Sequence, residues 1–124
     1  MFIIDPQSRQ PVYEQIILQA EEYILRGILL PGSQMPSVRS LSISLSANPN
    51  TVQKAYSELD SKGLIYSVPG KGCFVSEDAK QRVCSSKQGR LSELKKLLEE
   101  LRLAKTPKEE ITKLIEQIYG GVSK

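Results

Sequence analysis

Apolar side chains recur every three or four residues in several stretches of this chain, the spacing of one buried face on an α-helix. The first stretch predicts a helix that opens at Pro11, where the missing N–H of proline costs nothing, and that stops at Gly27. Its buried stripe consists of Val12, Ile16, Ala20 and Ile24. A turn over residues 30–33 and the pair Met35-Pro36, which favours extended backbone, then separate it from the next helix.

Two shorter helices follow this turn. Ser37 is suited to cap the first, which runs from Val38 to about Leu45 and has Arg39 and Ser42 on its outer side. Asn48 is suited to cap the second, whose first turn starts at Pro49. The predicted buried face of this third helix consists of Val52, Ala55, Tyr56 and Leu59, and Gly63 ends it. Two helices joined by about three residues, behind a supporting helix, are typical of a helix-turn-helix.

A short hairpin is predicted directly after these helices. Residues 64–68 and 73–75 read as two strands, and Pro69-Gly70-Lys71-Gly72 forms the tip between them. Glycines at such a tip allow a tight turn, and no helix follows them to supply a phosphate-binding loop. The hairpin is therefore interpreted as the wing of a winged helix-turn-helix.

The rest of the chain reads as helical, with a break at Thr106-Pro107 between two amphipathic stretches; Gly89 either kinks or interrupts the long helix before that break. Thr106 is expected to cap the last helix, with Pro107 at its first position and Gly120-Gly121 at its end. The two apolar stripes are Leu91, Leu94, Leu98 and Leu101, and Ile111, Leu114, Ile115 and Ile118. Two short helices cannot cover both stripes against each other alone, so a second copy of the chain is expected to cover them in an isologous homodimer. The alternative is that the pair packs on its own winged domain.

Composition and charge narrow the function classes. With 124 residues and 40% hydrophobic content, the chain has room for one compact domain and a helical appendage. No histidine is present, which weakens enzyme hypotheses, and two cysteines make neither a disulfide framework nor a zinc site; neither metal nor cofactor is expected. No apolar run is long enough to span a membrane, and residues 1–5 lack the pattern of a secretory signal, so we expect a cytoplasmic protein without a membrane partner.

The net charge of +3 favours a polyanionic partner only mildly. Residues 1–76 carry six basic and six acidic side chains, so the arrangement of residues, and not bulk charge, has to indicate the partner. If the predicted face of the third helix is buried, Asn50, Gln53, Lys54 and Ser57 point outward. Because Asn and Gln can pair with the adenine edge in the major groove, these positions predict double-stranded DNA with A·T-containing half-sites as the partner.

Seven short motifs occur in order over residues 9–76. They are Pro11-Val-Tyr-Glu-Gln-Ile16, Gly27-x-Leu-x-Pro-Gly-Ser33, Met35-Pro-Ser-Val-Arg-Ser-Leu41, Asn48-Pro-Asn-Thr-Val-Gln53, Ala55-Tyr-x-x-Leu59, Gly63-Leu-Ile65 and Gly70-x-Gly-x-Phe-Val75. In this order and spacing they resemble the DNA-binding domain of the GntR family of bacterial regulators. The Asn-Pro-Asn-Thr-Val stretch and the short helical tail further resemble the YtrA-like subgroup, in which two dimerising helices replace a ligand-binding domain.

The resemblance implies a mainly α fold with a small β-hairpin. It places a winged helix-turn-helix domain at residues 9–76, with the helix-turn-helix at about 37–62 and the wing at about 64–76, and a helical dimerisation tail at 77–124. It also implies a repressor that acts as a homodimer on an inverted-repeat operator, with a transporter operon as its target. A small-molecule effector is left open. The alternative is a winged-helix module that binds proteins without specific DNA binding.

Particular DNA contacts are implied by the same resemblance. Arg39 would contact phosphate or a base edge, the start of the third helix would enter the major groove, and the wing tip would approach the minor groove or backbone. The expected DNA-binding set is Ser37, Arg39, Asn48, Asn50, Thr51, Gln53, Lys54, Gly70 and Lys71. The expected dimerisation set consists of the eight leucines and isoleucines of the two apolar stripes in the tail.

Overall fold

The computed structural model describes residues 2–122, and side chains through residue 120. The elements, in chain order, are α1 (Val12–Leu25), α2 (Val38–Leu45), α3 (Pro49–Ser61), β1 (Ile65–Val68), β2 (Gly72–Val75), α4 (Ala79–Gln88), α5 (Leu91–Leu103) and α6 (Lys108–Val122). Contacts divide the chain into two compact units, of which the first ends at Ser86 and the second begins at Lys87. The described residues are thus mainly helical with one two-stranded antiparallel hairpin, as predicted.

The first unit encloses one apolar core built around α3. Both α1 and α2 pack against α3, and the predicted inner positions of α3 are all buried. Ile16 of α1, together with Val52 and Leu59 of α3, has no exposed surface at all. Burial of a side chain of this size stabilises the fold by about 1.5–3 kcal/mol, so this layer holds α3 in place against its two neighbours.

The turn between α2 and α3 is short and ends α2 in a left-handed residue that is not glycine. Ser46 has a φ of +52°, and the Ala47 N–H donates to the Ser42 carbonyl at 2.9 Å, which closes the helix. The left-handed conformation costs a residue with a side chain about 1–2 kcal/mol. The tight connection of the helix-turn-helix is therefore formed at some cost in stability.

The wing is an antiparallel hairpin in which Ile65 pairs with Val75 and Tyr66 with Phe74. Ile65 and Val75 are buried and anchor its base in the core. The segment before α2 runs along the other side of β2, where the Gly32 N–H donates to the Val75 carbonyl and the Met35 N–H to the Cys73 carbonyl, each at 2.8 Å. These backbone hydrogen bonds hold the segment beside β2 and fix the hairpin from one side.

Helix α4 extends the first unit beyond the wing. Ala79 and Val83, four residues apart, are both about 1% exposed and belong to the apolar core. The first unit therefore extends to Ser86, beyond the predicted end of the winged domain at residue 76. The reason is that this spacing gives α4 a narrow apolar face, which the core of the first unit covers.

The second unit consists of α5 and α6 joined by a left-handed turn at Lys105, which has a φ of +64°. The sequence left open whether Gly89 kinks or interrupts a long helix; in the structure α4 ends at Gln88 and α5 begins at Leu91, so the helix is interrupted. No residue of α5 is buried, although the structure describes the whole helix. Leu98, Leu101 and Ile111 are half-buried, whereas the other predicted stripe residues, Leu91, Leu94, Leu114, Ile115 and Ile118, are exposed.

Four local predictions need correction. Pro11 is the cap residue before α1 and not its first residue, and Ser42 is buried at 5% exposure because its hydroxyl donates to the Arg39 carbonyl. Helix α6 begins at Lys108, so Thr106 and Pro107 both lie before it. It then continues through Gly120-Gly121 to Val122, since glycine weakens a helix by only about 1 kcal/mol and does not break it. The last two residues of the predicted tail lie outside the described residues.

Candidate nucleic-acid interface

Helix α3 turns one polar face outward. Val52, Ala55, Tyr56 and Leu59 hold the opposite face in the core, which leaves Asn50, Gln53, Lys54 and Ser57 exposed, as predicted. The Gln53 amide donates to the Ser57 hydroxyl at 3.2 Å, so this amide is kept along the helix surface. The exposed row therefore offers amide, hydroxyl and ammonium groups, which suit the edges of bases and the phosphates beside them.

The amino-terminal ends of α2 and α3 are both capped by predicted residues. The Ser37 hydroxyl accepts from the Ser40 N–H at 3.0 Å, and the Asn48 carboxamide oxygen accepts from the Asn50 N–H at 2.8 Å. These side chains thus have a structural role before any DNA is bound. Thr51 in the first turn of α3 is half-buried, while Arg39 in the first turn of α2 is exposed.

Lys54 is held against a neighbouring helix. Its ammonium nitrogen lies 3.9 Å from the centroid of the Tyr13 ring in α1, a cation–π contact. Such a contact is worth about 0.5–1 kcal/mol at an exposed site, so it restrains the ammonium without removing it from solvent. This contact was not predicted, because two residues that are far apart in sequence leave no local signal of their pairing.

The wing tip and the start of α2 line one cleft. Lys71 and Gly70 are exposed at the tip, where Gly70 has a φ of +76° and the Lys71 N–H donates to the Val68 carbonyl at 2.9 Å. The cleft has a volume of about 410 Å³ and includes Ser37 on its other side. Three predicted residues therefore meet in this cleft, whereas the other six are carried by α2, α3 and the turn before α3.

Tyr56 connects α3 with the segment in front of α2. Its side chain is 3% exposed, and its hydroxyl donates to the Pro36 carbonyl at 2.6 Å. Burial, together with an electrostatic contribution from the nearby Cys73, raises the pKa of the Tyr56 hydroxyl above its ordinary value of 10. Tyr56 thus remains a neutral donor at physiological pH and keeps α3 bound to this segment.

The described residues hold no cluster of three or more histidine, cysteine or acidic side chains that could bind a metal ion. Within the same part of the chain, no helix has the length and apolar character to cross a membrane. The groups that the interface does present are hydrogen-bond donors, amides and cations on two helix starts and a hairpin tip. This inventory suits contacts with a nucleic acid.

The family model described as "Bacterial regulatory proteins, gntR family" matches residues 12–75, the stretch that carries α1, the helix-turn-helix and the wing. The chain belongs to the gntR family. The resemblance seen in the motifs is thereby confirmed, and so is the fold class. As a member of this family, the chain is a DNA-binding transcriptional regulator and not an enzyme.

Individual relatives extend the match over the whole chain. The HTH-type transcriptional repressor YtrA of Bacillus subtilis is 42% identical over 123 residues, which are 98% of this chain and 95% of that protein. A gntR family transcriptional regulator from Listeria monocytogenes is similar in structure, with a TM-score of 0.73, 30% identity, and coverage of 92% of this chain and 98% of that one. The DNA-binding domain of AraR in complex with operator ORX1 covers 60% of this chain and 94% of its own, at 32% identity and a TM-score of 0.55.

Proposed function

We propose that this gntR family regulator is a cytoplasmic repressor that binds an inverted-repeat operator as a homodimer. In this proposal each protomer inserts α3 into the major groove of one half-site, and the two half-sites lie about one helical turn apart. The wing tip reaches the adjacent backbone or minor groove. The repressor name of the Bacillus relative supports the sign of regulation, and the resemblance to its subgroup supports a transporter operon as the target.

The polar outer face of α3 carries this proposal. Asn50 and Gln53 are exposed side-chain amides one turn apart, and each can form a bidentate pair with adenine that is worth about 1–3 kcal/mol of discrimination. The helix start beside Asn50 has the positive end of the helix dipole, which suits a nearby phosphate. A protein-binding module would instead present large apolar residues on α3, and the exposed row of this helix has none.

The operator complex of AraR supports DNA as the partner, because its DNA-binding domain is similar in structure to 60% of this chain. Arg39 and Lys71 are exposed at the start of α2 and at the wing tip, which in this proposal are the groups that contact phosphates. Residues 1–76 carry as many acidic as basic side chains, so this part of the chain has no net attraction for phosphates. Affinity for one half-site is therefore modest, and two linked half-sites are needed for a tight complex.

The exposed apolar face of the second unit supports the homodimer. Its largest exposed apolar side chains are Leu91, Leu94, Leu97, Leu103, Leu114, Ile115, Ile118 and Tyr119. Exposed apolar stripes on amphipathic helices are typical of an interface between proteins. In an isologous dimer the same face of a second copy covers it, which matches the two-fold symmetry of an inverted repeat.

The test is a fluorescence-anisotropy titration with DNA from upstream of the protein's own gene, at two salt concentrations, with scrambled DNA beside it. We expect salt-dependent binding of two protomers per site that favours the operator. Arg39→Ala and Gln53→Ala should each weaken this binding roughly 5- to 100-fold, whereas Arg26→Ala and Gln81→Ala, at exposed positions outside the proposed interface, should leave it unchanged.

Two outcomes would change the proposal. Equal weak binding to both DNAs by a folded dimer would place the operator elsewhere or make an effector a requirement for binding. A folded dimer that binds neither DNA would favour the protein-interaction module instead.

A further inference from the structure

The wing tip is held by a side chain from outside the hairpin. The amide nitrogen of Gln34 donates to the Lys71 carbonyl at 2.8 Å, across 37 residues of sequence. The backbone of Gln34 pairs with Phe74 in an isolated bridge, so the glutamine starts from a fixed position beside β2. The side chain thus spans from the base of the hairpin to its tip.

Gly72 leaves the room for this contact. A Cβ added at Gly72 would lie 2.8 Å from the amide nitrogen of Gln34, closer than real Cβ atoms approach a neighbour. Gly72 also has a φ of +121°, a conformation that residues with a side chain rarely adopt. The tip is therefore shaped so that the amide of Gln34 can reach the carbonyl of Lys71.

The same segment is bound to the recognition helix at its other end. The Tyr56 hydroxyl of α3 donates to the Pro36 carbonyl at 2.6 Å, two residues beyond Gln34. Residues 34–36 are therefore connected to α3 on one side and to the wing tip on the other. This short connection fixes the position of the wing tip relative to α3. Residues 34–36, Tyr56, the wing tip and Ser37 all line the same cleft.

We propose that Gln34 is a positioning residue for DNA recognition: it holds the wing tip so that Lys71 meets the DNA while α3 occupies the major groove. The inference rests on the proposed function. Lys71 and Gln34 are both exposed, so the hydrogen bond contributes little to the core. The hydrogen bond orders the wing tip before DNA binds. A mobile tip would lose conformational entropy when the complex forms, so ordering it beforehand increases the affinity.

The test uses the full chain with Gln34→Met, which keeps the length of the side chain, removes the donor and adds no charge. We expect amide order parameters at Gly70 and Lys71, measured by ¹⁵N relaxation without DNA, to fall from rigid values to below about 0.6. Operator affinity should fall roughly 2- to 10-fold, the range of one net hydrogen bond. Gln81→Met, at an exposed glutamine of α4, is the matched control and should change neither quantity.

A double-variant cycle separates positioning from a merely structural role. In the wild type, Lys71→Ala should weaken operator binding, and in the Gln34→Met background the same change should weaken it by a smaller factor, because the ammonium is already misplaced. A rigid wing tip in Gln34→Met, or full additivity of the two changes, would overturn the proposal. If the wild type does not prefer its operator over scrambled DNA, the proposed function fails and the DNA part of this inference with it, while the relaxation measurement still decides whether Gln34 orders the tip.

Discussion

The two units of the chain have similar periodic patterns of apolar residues, but these residues are buried in the first unit and not in α5 of the second. In the first unit the apolar faces of α1 and α3 meet, and Ile16, Val52 and Leu59 are removed from solvent entirely. In the second unit α5 has an equally periodic leucine stripe, yet none of its residues is buried. An amphipathic pattern therefore shows that a face must be covered, and it does not show which surface covers it.

This difference separates two kinds of apolar residue in one small protein. Those of the first unit stabilise the folded chain by themselves, because their partners belong to the same unit. Those of the second unit, such as Leu94 and Ile118, are about half exposed, at 49% and 57%. In the homodimer proposed above they contribute only when a second copy is present, so their stabilisation depends on protein concentration.

The largest expected effect tests that dependence. Leu94→Glu with Ile118→Glu should weaken dimerisation at least about 1000-fold, because each protomer would bury two unpaired carboxylates in the interface. Sedimentation equilibrium measures the change, and operator affinity should fall with it, since one protomer holds one half-site. Ser92→Glu with Gln117→Glu adds the same charge at exposed polar positions and should leave the dimer intact. A dimer that survives the first pair of substitutions would mean that the apolar face of the tail is not the interface.

The next effect compares one leucine from each unit in the monomeric double variant. Leu59→Ala should lower the free energy of unfolding by about 2–5 kcal/mol, because it leaves a cavity at a site with no exposed surface. Leu114→Ala should change it by at most about 0.5 kcal/mol, since this side chain is 55% exposed within one chain. Urea unfolding followed by circular dichroism measures both. If both substitutions lowered the free energy of unfolding equally, the apolar face of the tail would be covered by its own chain, and the two units would not differ in this respect.

Features decided by neighbours in sequence could be predicted. The caps Ser37 and Asn48, the inner face of α3 and the hairpin all follow from local preferences and from a regular period, and the structure has them as expected. The outward row of α3 was predicted for the same reason, because burial of one face leaves only one orientation for the other. The exposed positions of the candidate interface on α3 could therefore be predicted from the sequence.

Features decided by distant contacts could not be predicted. The bond from Gln34 to Lys71 and the contact of Lys54 with Tyr13 join elements whose relative positions exist only in the folded unit. The role of α4 was missed because two small apolar residues, Ala79 and Val83, make a weak periodic signal in a polar helix. Ser42 was placed outward since a serine fits either side, and its hydrogen bond to Arg39 is what allows its burial.

The smallest expected effect concerns a feature that the two units share. Ser46 ends α2 and Lys105 follows α5, each as a left-handed residue with a side chain, at a φ of +52° and +64°. Ser46→Gly should raise the free energy of unfolding by roughly 0.5–1 kcal/mol, because glycine adopts the left-handed conformation without strain. The gain is smaller than the full strain energy, because glycine also increases the conformational entropy of the unfolded chain. Lys105→Gly should stabilise the tail by a similar amount. Thermal unfolding of each variant in the monomeric background measures the change in its own unit.

The outcome of this pair decides how far the contrast between the units extends. If both substitutions stabilise, the two units obey the same local rules, and the difference between them lies only in what covers their apolar faces. Suppose that Ser46→Gly stabilises and Lys105→Gly does not. The turn between α5 and α6 would then carry no strain in the monomer, because these two helices would not pack into a hairpin without a second copy. In that case the tail acquires its hairpin together with the second copy, and dimerisation is coupled to folding of the second unit.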